Sequence, residues 1–123
     1  MPKTGLLNTY LECAGMVEQS IVDSVKKYLK ALSDAGIDVR IGVVFGSCAS
    51  GTADQWSDID LIVVAPEFDG MVSREQVNRL WRIAAGTDSR IEPIPCGQRQ
   101  WQDDTSSAII EIARIQGQAI SAA

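Results

Sequence analysis

Histidine is absent from this 123-residue chain, and only three cysteines and four prolines are present. Without histidine, no Ser-His or Cys-His nucleophile can be assembled. Cys13, Cys48 and Cys96 are far apart in sequence and form no Cys-x-x-Cys pair, so a zinc site lacks its ligands. Long hydrophobic runs are also missing: no segment approaches the roughly 20 apolar residues that cross a bilayer. The start, Met1-Pro2-Lys3-Thr4-Gly5, lacks the apolar core of a signal peptide, and a cytoplasmic location with no membrane partner is expected. Basic charge is scarce as well. Sixteen acidic residues face eleven basic ones, a net charge of −5. That balance argues against strong non-specific nucleic-acid binding, which needs a basic surface to displace counterions. Any chemistry must therefore run on carboxylates, hydroxyls or bound cations.

What is present is the composition of one ordinary soluble domain, 46% hydrophobic and 22% charged, spanning residues 1–123. Leu7, Leu11, Ala14, Val17, Ile21, Val25, Leu29 and Leu32 repeat at helical spacing, so a long amphipathic helix is expected from about Leu6 to Ser33, stopped at Gly36. Asp38 to Phe45 reads as a strand ending at Gly46, and Ile59 to Ala65 as a second, closed by Pro66. The nearly continuous apolar run of the second strand implies burial on both faces. Ser73 and Gln76 form a capping box for a helix to Ala85, with Gly86 as its stop. Val77, Leu80, Trp81 and Ala84 are its expected inner face. Arg90 to Pro95 is a third, short strand, which its two prolines either place at a sheet edge or end early. Asp104 or Thr105 caps a last helix to about Gln116, with Ile109, Ile112 and Ala113 inward and Trp101 as an anchor. The final Ser-Ala-Ala is expected to fray. The order is α-β-(turn or short α)-β-α-β-α. It implies an α/β (α+β) domain of two layers, a small mixed β-sheet packed with about four helices.

Two segments carry the candidate chemistry. In Phe45-Gly46-Ser47-Cys48-Ala49-Ser50-Gly51-Thr52, glycine directly follows a buried strand, where the backbone can turn tightly and approach a ligand. Its N–H groups and the Ser47 hydroxyl suit phosphate oxygens. Gly46 and Gly51 also have Walker A spacing, but Thr52-Ala53 stands where Lys-Ser or Lys-Thr is required. Taken alone, the turn reads more readily as an ordinary strand ending. In Ser57-Asp58-Ile59-Asp60, the aspartates are two apart, so on a strand both project to one face. Two adjacent carboxylates repel unless a cation such as Mg²⁺ lies between them; the other reading is a solvated strand start. Ten residues, 48 to 57, tether the turn to the pair. A phosphate-binding loop beside a metal-binding pair is what Mg-nucleotide chemistry requires.

Val44-Phe45-Gly46-Ser47, ten residues, then Ser57-Asp58-Ile59-Asp60-Leu61-Ile62-Val63 resembles the signature of the DNA polymerase β-like nucleotidyltransferases. The compact length is most similar to the minimal nucleotidyltransferase group, many of whose members are antitoxins paired with HEPN-type toxins. The resemblance implies a third carboxylate on the next core strand. Glu92, in Arg90-Ile91-Glu92-Pro93-Ile94, is the candidate, with an exposed edge position as the other reading and Asp88 as a weaker alternative. It further implies Asp58, Asp60 and Glu92 as catalytic and metal-binding residues, and Gly46, Ser47 and Ser57 as nucleotide-binding. Mg²⁺ or Mn²⁺ is the implied cofactor, ATP the implied donor, and a second copy or a HEPN-type helical protein the implied partner. The implied reaction moves AMP to a hydroxyl, as in an antitoxin that adenylylates its toxin. A nucleotide-sensing or toxin-neutralising binding module and a small-molecule (antibiotic-type) transferase are the alternatives. One departure stands out: Ser50 occupies the position where the minimal group often carries a loop arginine. Trp56, Arg74, Arg79 and Arg82 are expected on packing or solvated surface, and Cys48 shows no sign of an activated thiol.

Overall fold

A computed structural model of the chain describes residues 18–46, 58–103 and 107–122. The first helix, α1, spans Gln19–Asp34 and buries Ile21, Val25, Tyr28, Leu29 and Leu32. The expected N-terminal half of this helix lies outside the described residues. Its end follows the expectation: Gly36 takes φ +92°, and Ile37 N–H bonds Leu32 O while Gly36 N–H bonds Ser33 O, both at 3.0 Å. That pair of bonds is a Schellman motif, which satisfies the last carbonyls of the helix.

Strand β1 is Ile41–Phe45 and β2 is Ile59–Val64, after which Pro66–Phe68 makes a single 3₁₀ turn. Helix α2, Arg74–Thr87, opens with the capping box: Ser73 Oγ accepts Gln76 N–H at 3.1 Å, and Gln76 Oε1 accepts Ser73 N–H at 2.8 Å. Gly86 does not stop this helix, which continues one residue further to Thr87 and is closed by Asp88. Strand β3 is Ile91–Cys96, followed by the short helix α3, Gln98–Asp103. Helix α4, Ala108–Gln116, is capped by Ser107; the expected caps Asp104 and Thr105 lie outside the described residues. The chain then adds a strand the sequence did not announce, β4, Gln118–Ser121, where fraying was expected at Ser121.

The sheet order is β3-β2-β1-β4. β1 pairs antiparallel with β2 and β4, and β2 pairs parallel with β3, so the sheet is mixed. Pro93 and Pro95 sit on the edge strand, where a missing donor costs least. β4 becomes a strand because β1 offers it a partner edge. Gly117 permits this return, since a Cβ there would meet Val43 Cγ1 and the Val44 carbonyl at 2.7 and 2.9 Å.

Side chains alternate across the sheet. On one face Val44, Ile59, Leu61, Val63, Ile91 and Ile120 pack with α1 and α2. Tyr28 links those helices by donating to the Leu80 carbonyl at 2.9 Å, and burial raises its phenol pKa. On the other face Val43, Ile62, Val64 and Cys96 pack under Ile110 and Ala113 of α4, with Phe45, Ile94 and Trp101 at the margin. Trp101 does anchor α4: Arg114 lies 5.5 Å from its ring centroid and donates Nε–H to its carbonyl at 2.7 Å.

Three expected core positions lie outside. Trp81 is 45% exposed, because it stands about 100° around α2 from Leu80, at the margin of the arc that Leu80 and Ala84 bury. Ile109 and Ile112 are 47% and 45% exposed, and Ile110 takes the inner place. Helix α4 is apolar nearly all round, so periodicity alone does not choose its inner face; docking on β1 chooses it. Among the described residues no helix is long and apolar enough to cross a membrane.

Candidate functional site

The apolar cover of the α4 face stops at Ile62, and the acidic residues begin one step beyond. Phe45 on β1 is paired with Asp60 on β2, and Asp60 with Glu92 on β3. Cross-strand partners share a face. Asp60 and Glu92 therefore project side by side on the same face as Ile62 and Ile94. Asp58 immediately precedes β2 and, two residues from Asp60, follows the same alternation. Three separate stretches of sequence meet here: the end of β1, the start of β2 and the start of β3.

The electrostatics record this crowding. Burial raises the pKa of Asp60, and the negative charge of Asp58 raises it further. Glu92 is also raised, first by a hydrogen bond shared with Asp58, then by burial and by the charges of Asp58 and Asp60. Two acids that share a hydrogen bond must hold a proton between them. A divalent cation relieves the same repulsion without one. Among the described residues, no three acidic or cysteine side chains form a ready-made metal cage. The donor set nonetheless suits a hard cation. It is all oxygen and carries up to three negative charges, and Asp60 and Glu92 bind protons more tightly than isolated carboxylates do.

Gly46 closes β1 with φ +76°, a left-handed conformation that favours glycine. A Cβ at this position would also collide with Asp60 Oδ2. The turn and the carboxylate are thus fitted to each other, and only a residue without a side chain serves both. Ser47 and Ser57, with Cys48, Ser50 and Trp56, lie outside the described residues.

The other candidates are placed elsewhere. Asp88 does not join the acidic group. It caps α2 and accepts Arg90 N–H at 3.0 Å, Arg90 Nε–H at 3.1 Å and Arg90 Nη2–H at 2.8 Å. The Arg90 hydrogen bonds hold its pKa down at about 2 against the opposing effect of burial, with a smaller contribution from Ser24. Helix α2 packs on the opposite face of the sheet from the carboxylates. There Arg79 donates to the Ala35 carbonyl at the end of α1, and Arg82 pairs with Glu75 at 3.2 Å on the surface. Arg79 is thus a structural tie rather than solvated surface. The link between Asp88 and Arg90 was not anticipated. Its signal was available in Asp88-Ser89-Arg90, an aspartate able to bond its own backbone two residues on, with a guanidinium at that position.

The family model of the nucleotidyltransferase domain matches residues 22–112, more than half of the chain. Three solved structures are similar in fold. One is a chain described as a nucleotidyltransferase from Sulfolobus solfataricus, 18% identical, with a TM-score of 0.54 over 66% of this chain and 70% of that one. Another is a toxin–antitoxin complex with AMP-PNP, 20% identical, with a TM-score of 0.56 over 83% of this chain and 73% of that one. The third is a mutant of the MntA–HpeT toxin–antitoxin pair, 21% identical, with a TM-score of 0.54 over 79% of this chain and 72% of that one. No curated protein sequence matches the chain.

Proposed function

The chain belongs to the nucleotidyltransferase domain family, and on that premise we propose that it transfers a nucleoside monophosphate, AMP from ATP, to a hydroxyl on a partner protein. The observation that carries this reading is the strand register that sets Glu92 opposite Asp60, with Asp58 hydrogen-bonded to Glu92 and Gly46 against the Asp60 carboxylate. Asp58, Asp60 and Glu92 hold a divalent cation, Mg²⁺ or Mn²⁺. When bound, it neutralises the charge that develops on the phosphates. Gly46 and Ser47 take the roles of holding the β- and γ-phosphates, and Ser57 that of a further nucleotide-binding residue. The acceptor oxygen attacks the α-phosphorus, the bond from that phosphorus to the bridging oxygen breaks, and pyrophosphate leaves. Glu92, or the metal-bound state itself, helps take the acceptor's proton.

One feature of the surface supports a protein acceptor. The outer side of α4, on the carboxylate face of the sheet, exposes Ile109, Ile112 and Ile115, the last at 78%. A contiguous apolar stripe on a surface helix marks an interaction site. Relatives of the same fold are held in toxin–antitoxin complexes, which supports a toxin as that partner, with a HEPN-type helical protein as the specific expectation. The charge that Ser50 does not supply then comes from the partner.

Incubation of the co-purified complex with ATP labelled at the α-phosphorus tests the proposal. Label and one nucleotide of mass are expected on the partner, and neither with the Asp58→Asn/Asp60→Asn double variant. Transfer that survives both substitutions, or label only on free small molecules, would overturn it.

A further inference from the structure

The short turn from α2 into β3 carries a dense set of bonds. Asp88 N–H closes α2 on Ala84 O at 2.9 Å, and Asp88 O accepts Ile91 N–H at 3.0 Å as β3 begins. The Asp88 carboxylate takes the three Arg90 donors and the Ser24 hydroxyl of α1. The Arg90 carbonyl in turn accepts Ile59 N–H at 2.8 Å. Ile59 is the residue between Asp58 and Asp60. A continuous path of hydrogen bonds therefore runs from both helices, through Asp88 and Arg90, to the backbone of the aspartate pair. The ion pair in that path is mostly sheltered, its side chains 15% and 32% exposed.

β2 and β3 are the only parallel neighbours in the described sheet, and no hairpin sets their alignment. A slip of one residue would turn Glu92 to the opposite face. Even a smaller shift would draw its carboxylate away from Asp60 and Asp58. Edge strand β3 faces β2 through the alternate residues that include Arg90 and Cys96, whose carbonyls accept Ile59 and Ala65 N–H, so Pro93 and Pro95 fall at the outward positions and β3 is held against such a shift from one side only. The Asp88–Arg90 clamp sits where that resistance is needed, one turn before Glu92.

We propose that Asp88 and Arg90 are positioning residues, whose clamp holds Glu92 in register with Asp60 and thereby sets the site's affinity for a divalent cation. This rests on the reading of Asp58, Asp60 and Glu92 as a cation site. Groups that orient metal ligands without touching the metal typically change its affinity by about tenfold to a hundredfold when removed.

The experiment is Mn²⁺ titration of the full chain without nucleotide, alongside thermal unfolding and hydrogen exchange at the Ile59 amide. Asp88→Asn and Arg90→Gln are each expected to weaken Mn²⁺ binding roughly tenfold and to speed exchange at Ile59. Arg90→Lys, which keeps charge but loses the two-pronged contact, should fall between them and the native chain. Tyr28→Phe, on the far face, costs stability and should leave Mn²⁺ affinity unchanged. If Asp88→Asn does not fold, Arg90→Lys carries the test. Unaltered Mn²⁺ affinity in the clamp variants overturns the inference alone. Stronger binding in Arg90→Gln also overturns it, since that would make a released Asp88 itself a ligand. Absence of Mn²⁺ binding by the native chain overturns the inference together with the cation site it rests on.

Discussion

The two faces of the sheet are built from the same strands, residue by alternate residue, and are put to different uses. Ile59, Leu61 and Val63 of β2 all meet α1 and α2, and that face is closed along its length by apolar contacts. The other side of β2 begins the same way, with Val64 and Ile62 under α4, but continues into Asp60 and Asp58. Helix cover ends where the carboxylates start. A buried charge is costly and a solvated one is weakly held. The partly covered end of the sheet lies between these limits: apolar enough to strengthen electrostatics, open enough to admit a ligand. The closed face supplies stability, and the half-open face spends part of it on crowded charge.

The sharpest test of this contrast is to substitute one residue on each face of β2. Asp60→Asn is expected to lower nucleotidyl transfer by roughly 10³-fold, from several kcal/mol of lost charge stabilisation at 1.36 kcal/mol per decade. In the metal-free chain it should not destabilise the fold, and the melting temperature should hold or rise. Its neighbour Leu61→Ala removes a fully buried side chain from the closed face. It should cost about 2–5 kcal/mol in denaturant unfolding while leaving kcat nearly intact in the folded fraction. If Asp60→Asn destabilises as much as Leu61→Ala, the two faces do not differ as argued.

Gly46→Ala sits on the boundary. It forces an alanine into φ +76° and toward the Asp60 carboxylate. A loss of about 1–2 kcal/mol in stability is expected from the backbone alone, together with weakened transfer. Transfer should fall further than for an alanine placed at the equally left-handed Gly36, where nothing lies within 4 Å.

pH gives the smallest effect and the clearest difference in sign. Asp60 and Glu92 have raised pKa values, so each binds its proton more tightly folded than unfolded. Metal-free stability should therefore fall as pH rises from the ordinary carboxylate range through those raised values. Asp88 is held down at about 2, so its contribution is present above the unfolded value near 4 and is lost as pH falls toward 2. That contribution is about 1–2 kcal/mol for a sheltered pair. Thermal unfolding in chelator across pH 2 to 7 should show both limbs. Asp60→Asn should flatten the upper limb and Asp88→Asn the lower. Mn²⁺ should remove the upper limb and leave the lower one.

Much of this was legible in the chain. Period-two spacing placed Asp58 and Asp60 on one face, and the glycine after β1 marked the turn. The capping box at Ser73 and the edge position of the proline-bearing strand were written in local chemistry that acts within a few residues. Sequence therefore settled the helical or extended state of the long segments among the described residues. Tertiary packing decided the rest. Which side of α4 faces inward depended on β1, because the helix is apolar on both sides. Gln118–Ser121 became a strand only because β1 had an open edge. Glu92 stands beside Asp60, and Asp88 does not, because the parallel register of β2 and β3 is a contact between segments some thirty residues apart. No local propensity encodes such a contact, since its free energy exists only when both strands are in place.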